Sequence, residues 1–482
     1  MKEFRPVLFV VGALLTTLGA FMLIPALADA SAGNPNWSNF LAASFLTVFT
    51  GVGLALVNRV GQPRFTVKQT FLLTTLSWTA LTAFAALPFA MSDLGLSYAD
   101  AFFEAMSGIT TTGSTVIVGL DGAPKGILLW RALLQWQGGI GIIVMAIAVL
   151  PMLRVGGMQL FRTESSDRSD KVLPRPAQIS TVIGLAYLIL TLMAAVAYWQ
   201  AGMTAFEAVC HAMTTISTAG FSTSDHSLGY FQSPAIEWLA TIFMILGGLP
   251  FILYYRIIIG QAQLTSRETQ VHCFLVVIGF SILAIVLTLV IQHNASLETA
   301  LRHAAFNVVS IITGTGYSST DYGAWGGIAV SLIFFLMLVG GCTGSTTGGI
   351  KIFRLQVMAA TAWVQIRRPL QPHGIFIPHF NRKPIPEPVA EAVTSFLFVF
   401  VACFVAITLG LGALGLDFIT SMSGAATALA NVGPGLGHII GPSGTFAPLP
   451  DAAKWLLSFA MLLGRLELFT VLVLFMPSFW RS

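Results

Sequence analysis

The chain has 482 residues, 55% of them hydrophobic and only 9% charged, with a mean hydropathy of +0.82. Soluble domains carry about 25% charged residues, so the composition is that of a polytopic membrane protein in contact with membrane lipid, with no large soluble domain left over. A net charge of +4 is too small to imply nucleic acid, and any nucleotide-binding or catalytic domain must be on another chain.

Taken from the start, Lys2 and Arg5 precede an apolar run from Val7 to Leu27. About 20 residues suffice to span a bilayer. Ala26-Leu27-Ala28 has the pattern of a signal-peptide cleavage site, but the length of the run favours a retained helix. A second span is expected at 39–58, so residues 1–68 read as a two-helix N-terminal domain.

From residue 69 the apolar segments come in pairs, each pair enclosing a short Thr/Ser/Gly-rich segment. Segments that short cannot cross the hydrocarbon core and are re-entrant candidates. They align without gaps on one glycine: Ile109-Thr-Thr-Thr-Gly113, Ile216-Ser-Thr-Ala-Gly220, Ile312-Thr-Gly-Thr-Gly316 and Leu429-Ala-Asn-Val-Gly433. The run before each glycine reads as a short helix. Ser97 with Asp100 and Thr204 with Glu207 have capping-box spacing, Asp417 is placed to cap the fourth, and the third has only Glu298 near its start. A second landmark follows 24 to 31 residues after each glycine: Gly138-Gly139, Gly247-Gly248, Gly340-Gly341 and Gly464-Arg465. Each is expected midway along a long apolar helix. The fold class is therefore an all-α polytopic membrane protein. Two N-terminal transmembrane helices precede four pseudo-symmetric helix–pore loop–helix repeats around one central pore. The repeats occupy 69–177, 178–269, 270–387 and 388–482.

Non-helical backbone at membrane depth persists only where it is buried or lines a wet cavity. Four short loops meeting at one axis can offer carbonyls in place of an ion's hydration shell. Gly113, Gly220, Gly316 and Gly433 tolerate the positive φ that turns carbonyls inward, and the negative C-terminal ends of the pore helices favour a cation. The expected ion ligands are these glycines with Thr111 and Thr112, Thr218 and Ala219, Gly314 and Thr315, Asn431 and Val432. Side chains vary between repeats while the glycine persists, as backbone coordination requires.

Two features lie outside the loops. The third inner helix is interrupted by Gly340, Gly341, Cys342, Thr343, Gly344, Ser345, Thr346, Thr347, Gly348 and Gly349, a composition a stable apolar helix does not have. It reads as a mobile gating loop beneath the filter, in preference to a Gly-xxx-Gly packing seam. Arg465 stands where the other repeats have glycine. An ionisable group at that depth is a functional candidate, expected to face the pore, touch the Gly-rich loop and slow cations. Glu104 and Glu207 on the pore helices either bias the mouth toward cations or satisfy backbone donors. His211, His226 and His303 lack metal-ligand spacing, and Cys210, Cys273, Cys342 and Cys403 suggest buried thiols. Asn294-Ala-Ser296 matches a glycosylation acceptor.

Nineteen of the 24 Lys and Arg fall in segments 1–5, 59–68, 154–175, 256–267, 351–383 and the C-terminus. By the positive-inside rule these are cytoplasmic, with both termini. Segment 363–387 reads as a solvated basic loop or a docking site.

These motifs together resemble the TrkH branch of the Trk/Ktr/HKT superfamily over nearly the whole chain. The residues carrying the resemblance are 107–114, 218–222, 313–317, 431–435, 340–349 and Gly464-Arg465. It implies potassium as the transported ion, by channel or by symport, across the bacterial inner membrane. It also implies a homodimer with one pore per protomer and a cytoplasmic ring of TrkA-like nucleotide-binding regulatory subunits. Two other readings compete. A sodium-permeable or sodium-coupled member of the superfamily is opposed by the four glycines. A broken-helix secondary transporter of an organic substrate predicts two related halves and mid-membrane acids. An enzyme is not indicated: the sequence has no H-E-x-x-H, no G-x-S-x-G and no paired carboxylates on facing segments.

Overall fold

The first apolar run folds as two nearly continuous helices, Arg5–Phe21 and Leu23–Ser31, which return through Trp37–Val57. Glycines set how closely the pair crosses. A Cβ on Gly12 would lie 2.6 Å from the Gly51 carbonyl oxygen, and one on Gly51 would lie 2.6 Å from the Thr16 backbone nitrogen. The computed structural model describes residues 4–61, 65–148, 176–258, 260 and 268–481. The expected cytoplasmic segment 154–175 and most of 256–267 lie outside the described residues.

Four outer-helix, pore-helix and inner-helix units follow. The outer helices are Val67–Ala85, Pro176–Gln200, Thr269–His293 and Glu387–Ala413. The pore helices are Tyr98–Ile109, Ala205–Ile216, Leu297–Ile312 and Phe418–Ala430. Among the described residues six helices are long and apolar enough to cross a membrane, with two bent pairs besides, and the chain is a multi-pass membrane protein. Each pore helix starts at a side-chain cap. Ser97 and Thr204 form full capping boxes with Asp100 and Glu207. Asp417 accepts from Thr420 N at 3.1 Å. The third cap is Ser296, whose hydroxyl accepts from Thr299 N at 3.2 Å; the apparent glycosylation serine is thus a helix cap. Such caps satisfy N–H groups that the helix itself leaves unpaired.

The inner helices correct one expectation. Only the first, Lys125–Ala148, runs unbroken through its glycine pair. The second breaks after Gly248 and bends by 86° into Phe251–Ile258. Pro250 is the cause: a proline disfavours helical geometry in the residue before it, and Leu249 is extended with ψ 154. The fourth ends at Arg465 and bends by 110° into Phe469–Phe475, through left-handed Glu467 and Leu468. The third is interrupted as expected, between Gly327–Leu338 and Ile352–Arg367. Its loop is pinched shut at the base, where Gly340 N donates to the Ile350 carbonyl at 2.6 Å and Ile350 N to the Leu338 carbonyl at 3.0 Å.

Candidate functional site

Each pore helix ends in the same turn. The amide of the residue before the key glycine donates to the carbonyl five residues back: Thr112 to Ser107 at 2.8 Å, Ala219 to Thr214 at 3.0 Å, Thr315 to Ser310 at 2.9 Å and Val432 to Thr427 at 3.0 Å. The acceptor is a serine or threonine in every repeat, a recurrence the loop alignment overlooked. Beyond the turn the backbone alternates. The glycine is left-handed in all four, with φ of 89°, 76°, 78° and 118° at Gly113, Gly220, Gly316 and Gly433. So is the residue two before it, at 54° for Thr111, 49° for Thr218, 68° for Gly314 and 55° for Asn431. Two of these are β-branched threonines, for which positive φ is a genuine outlier. Strain of this kind, of order 1–3 kcal/mol per residue, gathers at functional sites.

The four loops close into a ring. A Cβ on Gly113 would stand 2.2 Å from the Ala219 carbonyl oxygen, one on Gly220 1.8 Å from that of Thr315, and one on Gly316 2.1 Å from that of Val432. A Cβ on Gly433 would stand 3.0 Å from that of Thr112, which completes the circle. Every key glycine therefore packs on the carbonyl just before the key glycine of the next repeat. On one side of the ring lies a cavity of about 70 Å³, lined by Gly113, Gly220, Gly316 and Pro434 among others. A cavity of about 20 Å³, lined by Gly348, Arg465, Lys351 and Glu467, lies against the Gly-rich loop.

Different side chains close the seams. Between repeats one and two, Arg131 Nη1 donates to the Ser222 carbonyl at 2.7 Å and its guanidinium lies 4.0 Å from the Phe221 ring centroid. Between two and three, the Tyr317 and Thr214 hydroxyls form a hydrogen bond. Between four and one, Asn431 Nδ2 donates to Thr112 Oγ1 at 2.9 Å and Ser114 Oγ to the Gly433 carbonyl at 2.6 Å.

The interrupted helix packs directly against this ring. Its apex is Thr346, whose hydroxyl is 2.9 Å from Thr218 Oγ1 and donates to the Gly247 carbonyl at 3.1 Å. Arg465 Nη1 donates to the Thr346 carbonyl at 2.9 Å, and Lys351 Nζ donates to that of Thr347. Gly348 sits against repeat four, where a Cβ would come 2.3 Å from the Ala430 carbonyl oxygen. The flanks are tied as well: Thr343 N donates to Gln270 Oε1 at 3.1 Å, and Cys342 Sγ lies 3.8 Å from the Gln270 carbonyl oxygen. Cys342, Thr343, Ser345, Thr346 and Thr347 are all buried.

Several sequence readings change here. Glu104 and Glu207 do not form a charged mouth. Glu104 is wholly buried and accepts from Arg131 Nε at 2.8 Å and from Val116 N at 2.9 Å. Glu207 accepts from Thr204 N at 2.9 Å. Both satisfy backbone donors. Lys351 and Arg354, counted among the cytoplasmic charges, are buried beneath the loop. Arg354 is ion-paired to Glu467. His211 is buried, with Nδ1 2.9 Å from the Glu207 carbonyl oxygen and Nε2 2.9 Å from Ser222 Oγ. Among the described residues no His/Cys/Asp/Glu group could hold a metal ion.

Comparison with known proteins follows the same lines. The family model described as TrkH, cation transport protein, matches residues 36–482. The chain is 46% identical over 488 residues to the Trk system potassium uptake protein TrkI of Halomonas elongata, covering 100% of this chain and 98% of that one. It is 37% identical over 487 residues to the Trk system potassium uptake protein TrkH of Vibrio parahaemolyticus, covering 100% of both. The crystal structure of the potassium transporter TrkH from Vibrio parahaemolyticus superposes with a TM-score of 0.92 at 36% identity, covering 99% of this chain and 100% of that chain.

Proposed function

Because the chain belongs to the TrkH family of cation transport proteins, we propose that it takes up potassium through a pore lined by its four re-entrant loops. The observation that carries this reading is the closed ring of glycine-on-carbonyl contacts, from Gly113 through Gly220 and Gly316 to Gly433 and back to Thr112. Alternation of positive and negative φ along each loop can direct successive carbonyls to one side, and four such loops can surround a dehydrated cation. The ligands are the backbone oxygens of Thr111 to Gly113, Thr218 to Gly220, Gly314 to Gly316 and Asn431 to Gly433.

The Gly-rich loop 340–349 and Arg465 form the gate. In this arrangement Thr346 abuts Thr218, and the Arg465 guanidinium adds a fixed positive charge where a cation would emerge. Opening requires the loop to give up its bonds to Arg465 and Lys351. The four repeats correspond to 69–177, 178–269, 270–387 and 388–482, with 1–68 a two-helix addition. The protein is assigned to the bacterial inner membrane with both termini cytoplasmic, as a homodimer whose gate is controlled by TrkA-like nucleotide-binding subunits. The name of its relatives, Trk system proteins, supports a multi-component assembly.

The test is ion flux into liposomes holding the purified chain, with potassium, rubidium, sodium and lithium compared. Potassium and rubidium should pass in preference to sodium and lithium. Absence of cation flux under any gradient would return the broken-helix transporter of an organic substrate to consideration.

A further inference from the structure

The ring has one asymmetry that the fold does not require. Gln135, on the first inner helix and wholly buried, reaches across to the filter strand of repeat two. Its Nε2 donates to the Ala219 carbonyl at 2.7 Å, and its Oε1 accepts from Phe221 N at 3.0 Å. The amide orientation is fixed by its partners, since a carbonyl can only accept and a backbone N–H can only donate. The two bonds straddle Gly220. The Ala219 oxygen is also the one on which Gly113 packs, so the clamp acts on a member of the ring itself.

The other repeats show that the position needs no amide. Gln135 stands three residues before Gly138; the residues three before Gly247, Gly340 and Gly464 are Met244, Met337 and Met461, all wholly buried. Among the described residues no side-chain donor reaches the matching carbonyls of Thr112, Thr315 or Val432. A methionine therefore fills this place three times without disturbing the repeat, and the glutamine does something besides filling it.

We infer that Gln135 is a positioning residue for ion selection, holding the Ala219 carbonyl through a two-point amide clamp that the other three carbonyls lack. The inference rests on the reading of the four loops as the filter. A carbonyl oxygen has two lone pairs. With one engaged by Gln135, the Ala219 oxygen meets an ion with the other, in an orientation it cannot easily change. Selectivity depends on the number, field strength and freedom of the coordinating carbonyls. Removing the clamp gives Ala219 a second free lone pair and a carbonyl able to tilt toward a smaller ion.

The experiment compares wild type, Gln135→Met and Gln135→Leu in liposomes, with Gly113→Ser alongside, reading the potassium-to-sodium flux ratio per folded protein. Methionine restores the packing of the other repeats, and leucine is a second apolar replacement should methionine not fold. The ratio should fall by about fivefold, the worth of one neutral hydrogen bond, with potassium flux maintained. A variant that keeps the wild-type ratio, with or without lower total flux, overturns the clamp, provided wild type is selective and Gly113→Ser is not. If wild type shows no preference, or Gly113→Ser leaves the ratio unchanged, the filter reading fails and takes the clamp with it.

Discussion

Arg465 Nη1 donates to the backbone carbonyl of Thr346 at 2.9 Å, joining the end of the fourth inner helix to the apex of the loop that interrupts the third. The same guanidinium is buried, and its Nε and Nη2 find no hydrogen-bond partner among the described residues. A buried cation with so few partners is costly to keep, and it is kept beside the ring of carbonyls.

Arg465→Ala should raise rubidium flux. A hydrogen bond to a charged group contributes about 1.5–3 kcal/mol, so loss of this one should favour the open loop by about tenfold or more, and the fixed charge goes with it. Arg465→Lys should stand between the two. Flux at or below wild type in Arg465→Ala would remove Arg465 from the gate.

Serine at the four ring glycines should not be equally harmful. The new Cβ would come within 2.2 Å of a carbonyl oxygen at Gly113, 1.8 Å at Gly220 and 2.1 Å at Gly316, but only within 3.0 Å at Gly433. Gly220→Ser should lose selectivity most completely and Gly433→Ser least. Reversal of that order in potassium-to-sodium flux ratios would contradict the ring geometry.

The Arg354–Glu467 pair is buried under the loop. Removing one member of a buried ion pair costs about 3–5 kcal/mol. Glu467→Leu should therefore lower the melting temperature in detergent markedly. Arg354→Met combined with Glu467→Leu should recover much of the loss, because two apolar residues need no partner. A double variant as unstable as the sum of the single ones would show that the pair is not coupled.

Asp29 ties the N-terminal hairpin to the first repeat. It is fully buried and accepts from Gly126 N at 2.6 Å and from Asn36 Nδ2 at 3.0 Å. Asp29→Ala leaves a buried amide unsatisfied, for a loss of about 1–3 kcal/mol, and should lower thermal stability while ion selectivity stays as in wild type. A changed selectivity ratio would mean that the hairpin shapes the pore as well as supporting it.

The parts of the site legible in the sequence are those written locally. A glycine with three small residues before it signals a left-handed turn wherever it occurs, and the four copies align by eye. The run 340–349 announces a broken helix by composition. Asp100, Glu207 and Asp417 mark helix starts by spacing, whereas Ser296 was hidden behind a glycosylation pattern. The bend after Gly248 has no compositional signal, since apolar residues continue on both sides; only Pro250 gives a hint. The burial of Lys351 and Arg354 is not legible in a count of charges, which says nothing of depth, and the carboxylate that pairs with Arg354 lies far along the chain at Glu467. Gln135 was equally unreadable: the alignment sets it beside three methionines, but its partners on repeat two become visible only once the ring is closed.

That ring is closed by a single polypeptide. In an assembly of four identical chains every substitution appears in all quadrants at once, and a residue must suit four places or none. Here the seam held by Arg131 and Phe221, the seam held by Tyr317 and the seam held by Asn431 are separate loci. Each quadrant can change while the other three stay as they are; with the ring as the proposed filter, ion preference would be adjustable by quarter steps that a homotetramer does not have.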